Sequence, residues 1–137
     1  MKKLGSGLWL ICFCIAAWAT PDRAHAQSVS VSATTPTGVM SLAQPKQSVT
    51  AMISTPGLPT KISLDIVVKI KNTRTLAIGT TFTTVTTDMT GAGFLNFSCN
   101  VPAGNMNDPA EVTVKATYAQ TGLSGTQTVA PTYAQNP

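Results

Sequence analysis

The sequence predicts an all-β antiparallel sandwich of about seven short strands, and three observations carry that prediction. Beyond residue 26 no stretch repeats apolar residues at helical spacing, whereas several alternate apolar and polar residues with a period of two. Threonine, which suits half-buried pleated surfaces, supplies 21 of the 111 residues from Gln27 to Pro137. Clusters of proline, glycine and asparagine separate the alternating runs at the spacing of strand-connecting turns.

The chain opens on a different pattern. Lys2 and Lys3 precede the 12-residue apolar run Leu8 to Ala19, which is followed by polar Thr20 to Arg23 and then by Ala24-His25-Ala26. This is the three-part layout of a secretory signal peptide. Twelve helical residues rise about 18 Å, well short of the roughly 30 Å hydrocarbon core, so no stable membrane span is expected after cleavage. Cleavage is expected after Ala26, dividing the chain into a leader, 1–26, and one domain, 27–137, that is secreted or periplasmic. Lipid attachment at Cys12 or Cys14 is disfavoured, because bulky Ile11 and Phe13 stand where a small residue is needed.

From Gln27 onward the strands are read in order. Ser28 to Ala33 places Val29 and Val31 inward, and Ser48 to Ser54 does the same for Val49, Ala51 and Ile53. Lys61 to Lys71 is the clearest strand: Ile62, Leu64, Ile66, Val68 and Ile70 share one face, with Lys61, Ser63, Asp65, Val67, Lys69 and Lys71 on the other. One apolar and one wet face is the mark of an antiparallel sheet. Thr80 to Thr87 is weaker, as are Ser28 to Ala33, Ser48 to Ser54 and Thr126 to Ala130. Leu95, Phe97, Cys99 and Val101 point inward against Phe94, Asn96, Ser98 and Asn100. Val112, Val114, Ala116 and Tyr118 do so against Glu111, Thr113, Lys115 and Thr117, and Thr126 to Ala130 closes the series. Pro131 to Pro137 reads as a frayed tail. There is no internal repeat and no linker long enough to separate domains.

Composition narrows the chemistry. Both tryptophans, the one histidine and two of the three cysteines fall inside the leader. The remaining 111 residues hold six basic side chains (Lys46, Lys61, Lys69, Lys71, Arg74, Lys115) against four acidic ones (Asp65, Asp88, Asp108, Glu111), a net charge of +2 that gives no reason to expect nucleic acid. Core packing must rest on Ile, Val and Leu, with Phe82, Phe94, Phe97, Tyr118 and Tyr133 the only aromatics available to it.

Four short motifs then carry a family resemblance: Thr87-Asp88-Met89-Thr90-Gly91, Val101-Pro102-Ala103-Gly104, Val112-Thr113-Val114-Lys115-Ala116 and Gly122-Leu123-Ser124-Gly125. In this order, across Ile62 to Val129, they resemble the immunoglobulin-like modules of bacterial surface proteins of the invasin and intimin type. The resemblance implies an Ig-like sandwich and a surface location, with no site residue carried over. An antibody-type domain would also need a cysteine pair bridging the sheets and a buried tryptophan. Here one cysteine and no tryptophan remain.

Candidate chemistry is sparse. Cys99 is expected inward and therefore inert, since burial raises a thiol's pKa. Without a histidine beyond residue 26, Ser-His-Asp and Cys-His catalysis lack their base, and zinc lacks its usual ligands. Asp65 reads as half of a surface charge pair with Lys69, and Asp88 as a turn residue that bonds its local backbone. Asp108 and Glu111, in the oxygen-rich run Asn105 to Glu111, are weak calcium candidates that would need ligands from elsewhere. Lys69, Lys71 and Arg74 form a small cationic cluster, read as a solvated strand end. The sequon Asn96-Phe97-Ser98 falls mid-strand and is set aside.

No cofactor and no catalytic residue are therefore expected. The expected function is a non-catalytic binding or structural module of the bacterial cell envelope, meeting a protein or glycan partner at the cell surface. The alternative is a self-assembling fibre or pilin-like subunit. In that reading the N-terminal strand Ser28-Ala33, with Val29 and Val31 as its anchors, pairs with a second copy.

Overall fold

The computed structural model describes residues 26–42 and 45–134, so all but the last residue of the expected leader lies outside the described residues. These residues form an all-β, sandwich-like molecule without helix. Its strands are β1 (Ser30–Thr35), β2 (Val39–Ser41), β3 (Lys46–Ser54), β4 (Ser63–Asn72), β5 (Ile78–Thr86), β6 (Ala92–Asn100), β7 (Ala110–Tyr118), β8 (Leu123–Val129) and β9 (Thr132–Ala134). One antiparallel sheet runs β1-β3-β6 and the other β5-β4-β7-β8. Beside them β2 and β9 form a short parallel pair.

Alternation in the sequence becomes the core. On β4 the inward side chains Leu64, Ile66, Val68 and Ile70 are at most 1% exposed, and the facing sheet meets them with Val49, Ala51, Ile53, Leu95 and Cys99. Burial of this order, at about 25 cal/mol per Å² of apolar surface, is the main force holding the sheets together. Val112, Val114 and Ala116 complete the layer from β7.

Three expectations need correction. The expected tail is built into the fold from Pro131 to Ala134, its last three residues lying outside the described ones: β9 pairs with β2, Tyr133 is 1% exposed, and its hydroxyl donates to the Pro102 carbonyl at 2.8 Å. Strands of three residues are too short to display alternation, so β2 and β9 left no periodic signal and the described strands number nine instead of seven. Three of the five aromatics also lie outside the core. Phe82, Phe94 and Phe97 are 72%, 58% and 39% exposed. Phe97 has inward parity, but β6 is the last strand of its sheet and no further strand pairs with it.

β1 departs from simple alternation as well. Ala33 sits at φ 52°, in the left-handed region, and the pairing with β3 shifts between Ser32 and Thr35. The bulge flips the parity of the strand, so Thr34 is buried where uninterrupted alternation would have exposed it.

Candidate functional site

The reactive side chains are withdrawn from solvent. Cys99 is a free, buried thiol whose Sγ lies 3.6 Å from the Phe97 carbonyl oxygen. Burial pushes its pKa up to about 11, against a smaller opposing effect of the Thr81 hydroxyl. At neutral pH it is a thiol, the form that is neither nucleophile nor metal ligand.

Asp108 is also buried, and its neighbours define its character. Its Oδ2 accepts the main-chain N–H of Asn105 at 2.9 Å and the side-chain amide of Asn72 at 3.0 Å, while Oδ1 accepts Nε of Arg74 at 2.6 Å. The Asn105 amide foremost, then the Asn72 amide and the Arg74 guanidinium, hold this carboxyl below the usual carboxylate range. Asn72 is itself fully buried, donates also to the Ala103 carbonyl, and accepts the N–H groups of Arg74 and Thr75. Tyr133 N–H donates to the Asp108 carbonyl, and Asn107 N–H to the Tyr133 carbonyl. The cluster pins the loop from 101 to 109 against β9 and the end of β4.

Asp108 and Glu111 are not brought together. Asp108 turns inward to three donors, whereas Glu111 is exposed on β7 opposite Lys71. Among the described residues no group of three or more His, Cys, Asp or Glu is placed to hold a metal ion. Arg74 leaves the cationic cluster to form the one ion pair of the described residues, with Asp108. Asp65 and Lys69 make none, because residues four apart along a strand are separated by about 13 Å. Asp88 accepts the Thr90 hydroxyl at 2.6 Å and the N–H groups of Ala92 and Thr90, which lower its pKa and fix the turn around Gly91, at φ 79°.

The N-terminal strand is paired inside its own chain. Val31 lies opposite Ile53 on β3, and Val29 and Val31 are 6% and 9% exposed within the common core.

Exposed apolar surface is the feature that remains. On the outer face of the three-stranded sheet, Met52 lies opposite Phe94. On the outer face of the four-stranded sheet, Phe82 lies opposite Val67, beside a shallow depression of about 330 Å³ lined also by Lys69, Thr113, Lys115 and Thr126. Sequence reading placed Phe94 outward and missed Phe82, whose signal is faint. Its run, Thr80 to Thr87, is nearly all threonine, and only the parity of Val85 shows which way the strand faces. Among the described residues no helix is long and apolar enough to cross a membrane. No protein-family model matches this chain, and no curated protein matches it.

Proposed function

We propose that this chain is an exported, Ig-like module of the bacterial cell envelope that acts by binding or by structure and not by catalysis. The observation that carries this reading is the distribution of its side chains: the thiol and the one buried carboxylate are sequestered, while Phe82, Phe94 and Met52 stand exposed on broad sheet faces. Exposed aromatics beyond the scatter normal for a surface mark contact sites, and aromatic residues dominate contact energetics. The partner is a protein or glycan of the cell surface. Export follows from the N-terminal layout of charge, apolar run and Ala24-His25-Ala26.

The test has two parts. Fractionation of a bacterium expressing the full chain should recover it outside the cytoplasm with an intact mass beginning at Gln27; a cytoplasmic product retaining Met1 would defeat the export reading. Binding of that product to isolated envelope polysaccharide and to envelope protein should be measured beside Phe94→Ser. A variant that binds as the parent does would remove the outer-face aromatic from the argument. Hydrolysis of a panel of esters, glycosides and peptides above background would sink the non-catalytic reading. The fibre reading requires β1 to leave its own sheet and expose Val29 and Val31, and Pro at both positions would abolish such growth.

A further inference from the structure

We infer that β5 is a self-recognition edge, at which a second copy of this chain pairs antiparallel about a two-fold axis through Phe82. Four observations support it.

The first is a free ladder. Bonds Thr87 N–H to Ile62 C=O and Asn72 N–H to Ala77 C=O bracket the β4–β5 register and fix its parity. Odd-numbered β5 residues bond β4, so the main-chain groups of Thr80, Phe82 and Thr84 point away from it. The Thr80 carbonyl meets the Asn100 side chain at a long 3.5 Å, and those of Phe82 and Thr84 have no partner among the described residues. The second is weak protection: β6 touches the strand through Asn100, at Gly79 and Thr81, and through Gly93, at Val85. Edge strands are normally blunted by charge, proline or brevity, yet Ile78–Thr86 is nine residues long with no charge and no proline.

The third is self-complementarity. Thr80-Thr81-Phe82-Thr83-Thr84 reads the same in both directions. A two-fold axis through Phe82 therefore sets Phe82 opposite the partner's Phe82 and each Thr80 opposite the partner's Thr84, the isologous arrangement of a closed dimer. The two rings, 72% exposed in one copy, then extend an apolar row from Val67 to the partner's Val67. The fourth is charge. Thr84 is in register with Asp65, and Thr80 with Lys69. Antiparallel pairing places each Lys69 in the same row as the partner's Asp65, whereas parallel pairing would align like charges.

The experiment is sedimentation of the protein purified after expression of the full chain, over a concentration series. The parent should move from one chain to two. Phe82→Lys, which sets two ammonium groups on the axis, should raise the dimer dissociation constant at least about tenfold, equivalent to about 1.4 kcal/mol. Thr84→Pro, which removes a free-edge donor and no β4 bond, should do likewise. Phe82→Cys should cross-link to a dimer on oxidation and Met52→Cys, on the other sheet, should not. An unchanged melting temperature for Phe82→Lys shows that the fold is intact, and that variant decides alone if the proline variant fails to fold. A parent that stays monomeric at its highest soluble concentration overturns the inference. So does a dimer that both substitutions leave unchanged.

Discussion

Along one side of the molecule β1 lies against β8, and along the other β6 lies against β5; the first seam is shut beside Gly125 and Gln127, and the second is shut at its ends and open at its centre. At the shut seam the Thr34 N–H donates to Oε1 of Gln127 at 2.9 Å, and β1 comes so close to β8 that a Cβ added to Gly125 would stand 2.1 Å from the Val29 carbonyl oxygen. The bulge at Ala33 immediately precedes Thr34, whose N–H makes the first of these contacts. At the open seam β6 meets β5 at both ends: Gly93 sits under Val85, a Cβ added to Gly79 would run into the Asn100 carbonyl, and Asn100 donates its N–H to the Thr81 hydroxyl. Between those contacts the outer edge of β5 is bare at Phe82 and Thr84, beside exposed Phe97. Both seams admit a neighbouring backbone at a glycine, Gly125 and Gly79; they differ because the first adds a bulge and a glutamine, and the second carries threonine and phenylalanine between its contacts.

The comparison can be broken first at Gly125. Gly125→Ala should cost about 1–3 kcal/mol in denaturant unfolding, because backbone and not a flexible side chain must move. Gly38→Ala, with open space around it, is the matched control. A neutral Gly125→Ala would mean that the shut seam is looser than the contact implies. Next, Gln127→Ala should lose about 1 kcal/mol, since it strips a partner from a half-buried amide. Ala33→Gly should gain about 0.5 kcal/mol: relief of the left-handed conformation outweighs the added freedom of the unfolded chain. On the open side, Phe82→Thr should change the stability of dilute protein by no more than about 0.5 kcal/mol while reducing binding of an apolar dye.

Acid should act at neither seam but at the corner held by Asp108. Its folded-state pKa lies below the ordinary carboxylate value of 3.8, so its stabilisation is fully present above that value and is lost as pH falls through the folded one. Thermal melting of the parent should therefore decline on acidification below about pH 4. Asp108→Asn should melt lower at pH 7 and decline less steeply in acid. Equal slopes would assign the acid sensitivity to other carboxylates, Asp88 first among them.

Much of the fold was legible because a central strand announces its burial residue by residue. Ile62 to Ile70 and Val112 to Tyr118 lie between neighbours on both sides, so every inward side chain is covered and alternation translates directly into burial. Edge strands obey the same periodicity without the same cover, which is why Phe97 follows the pattern and yet meets solvent. The Asp108 corner was legible only as a set of polar residues. Arg74 and Asp108 are 34 positions apart, and Asn72 and Asp108 are 36 apart; composition and spacing do not encode which donors converge on a buried carboxylate.

The amino-acid sequence by itself determined the strand class, the turns at Pro56-Gly57 and Asp88 to Gly91, and the core faces of β4 and β7, because period-two hydrophobicity and turn stereochemistry are local properties of the chain. Tertiary structure alone decided that Tyr133 is core, that Asp108 pairs with Arg74, and that β1 closes against β8 while β5 keeps the centre of its edge open. Each of those outcomes depends on what a distant segment places beside the residue, and burial and hydrogen bonding take their value from that neighbour.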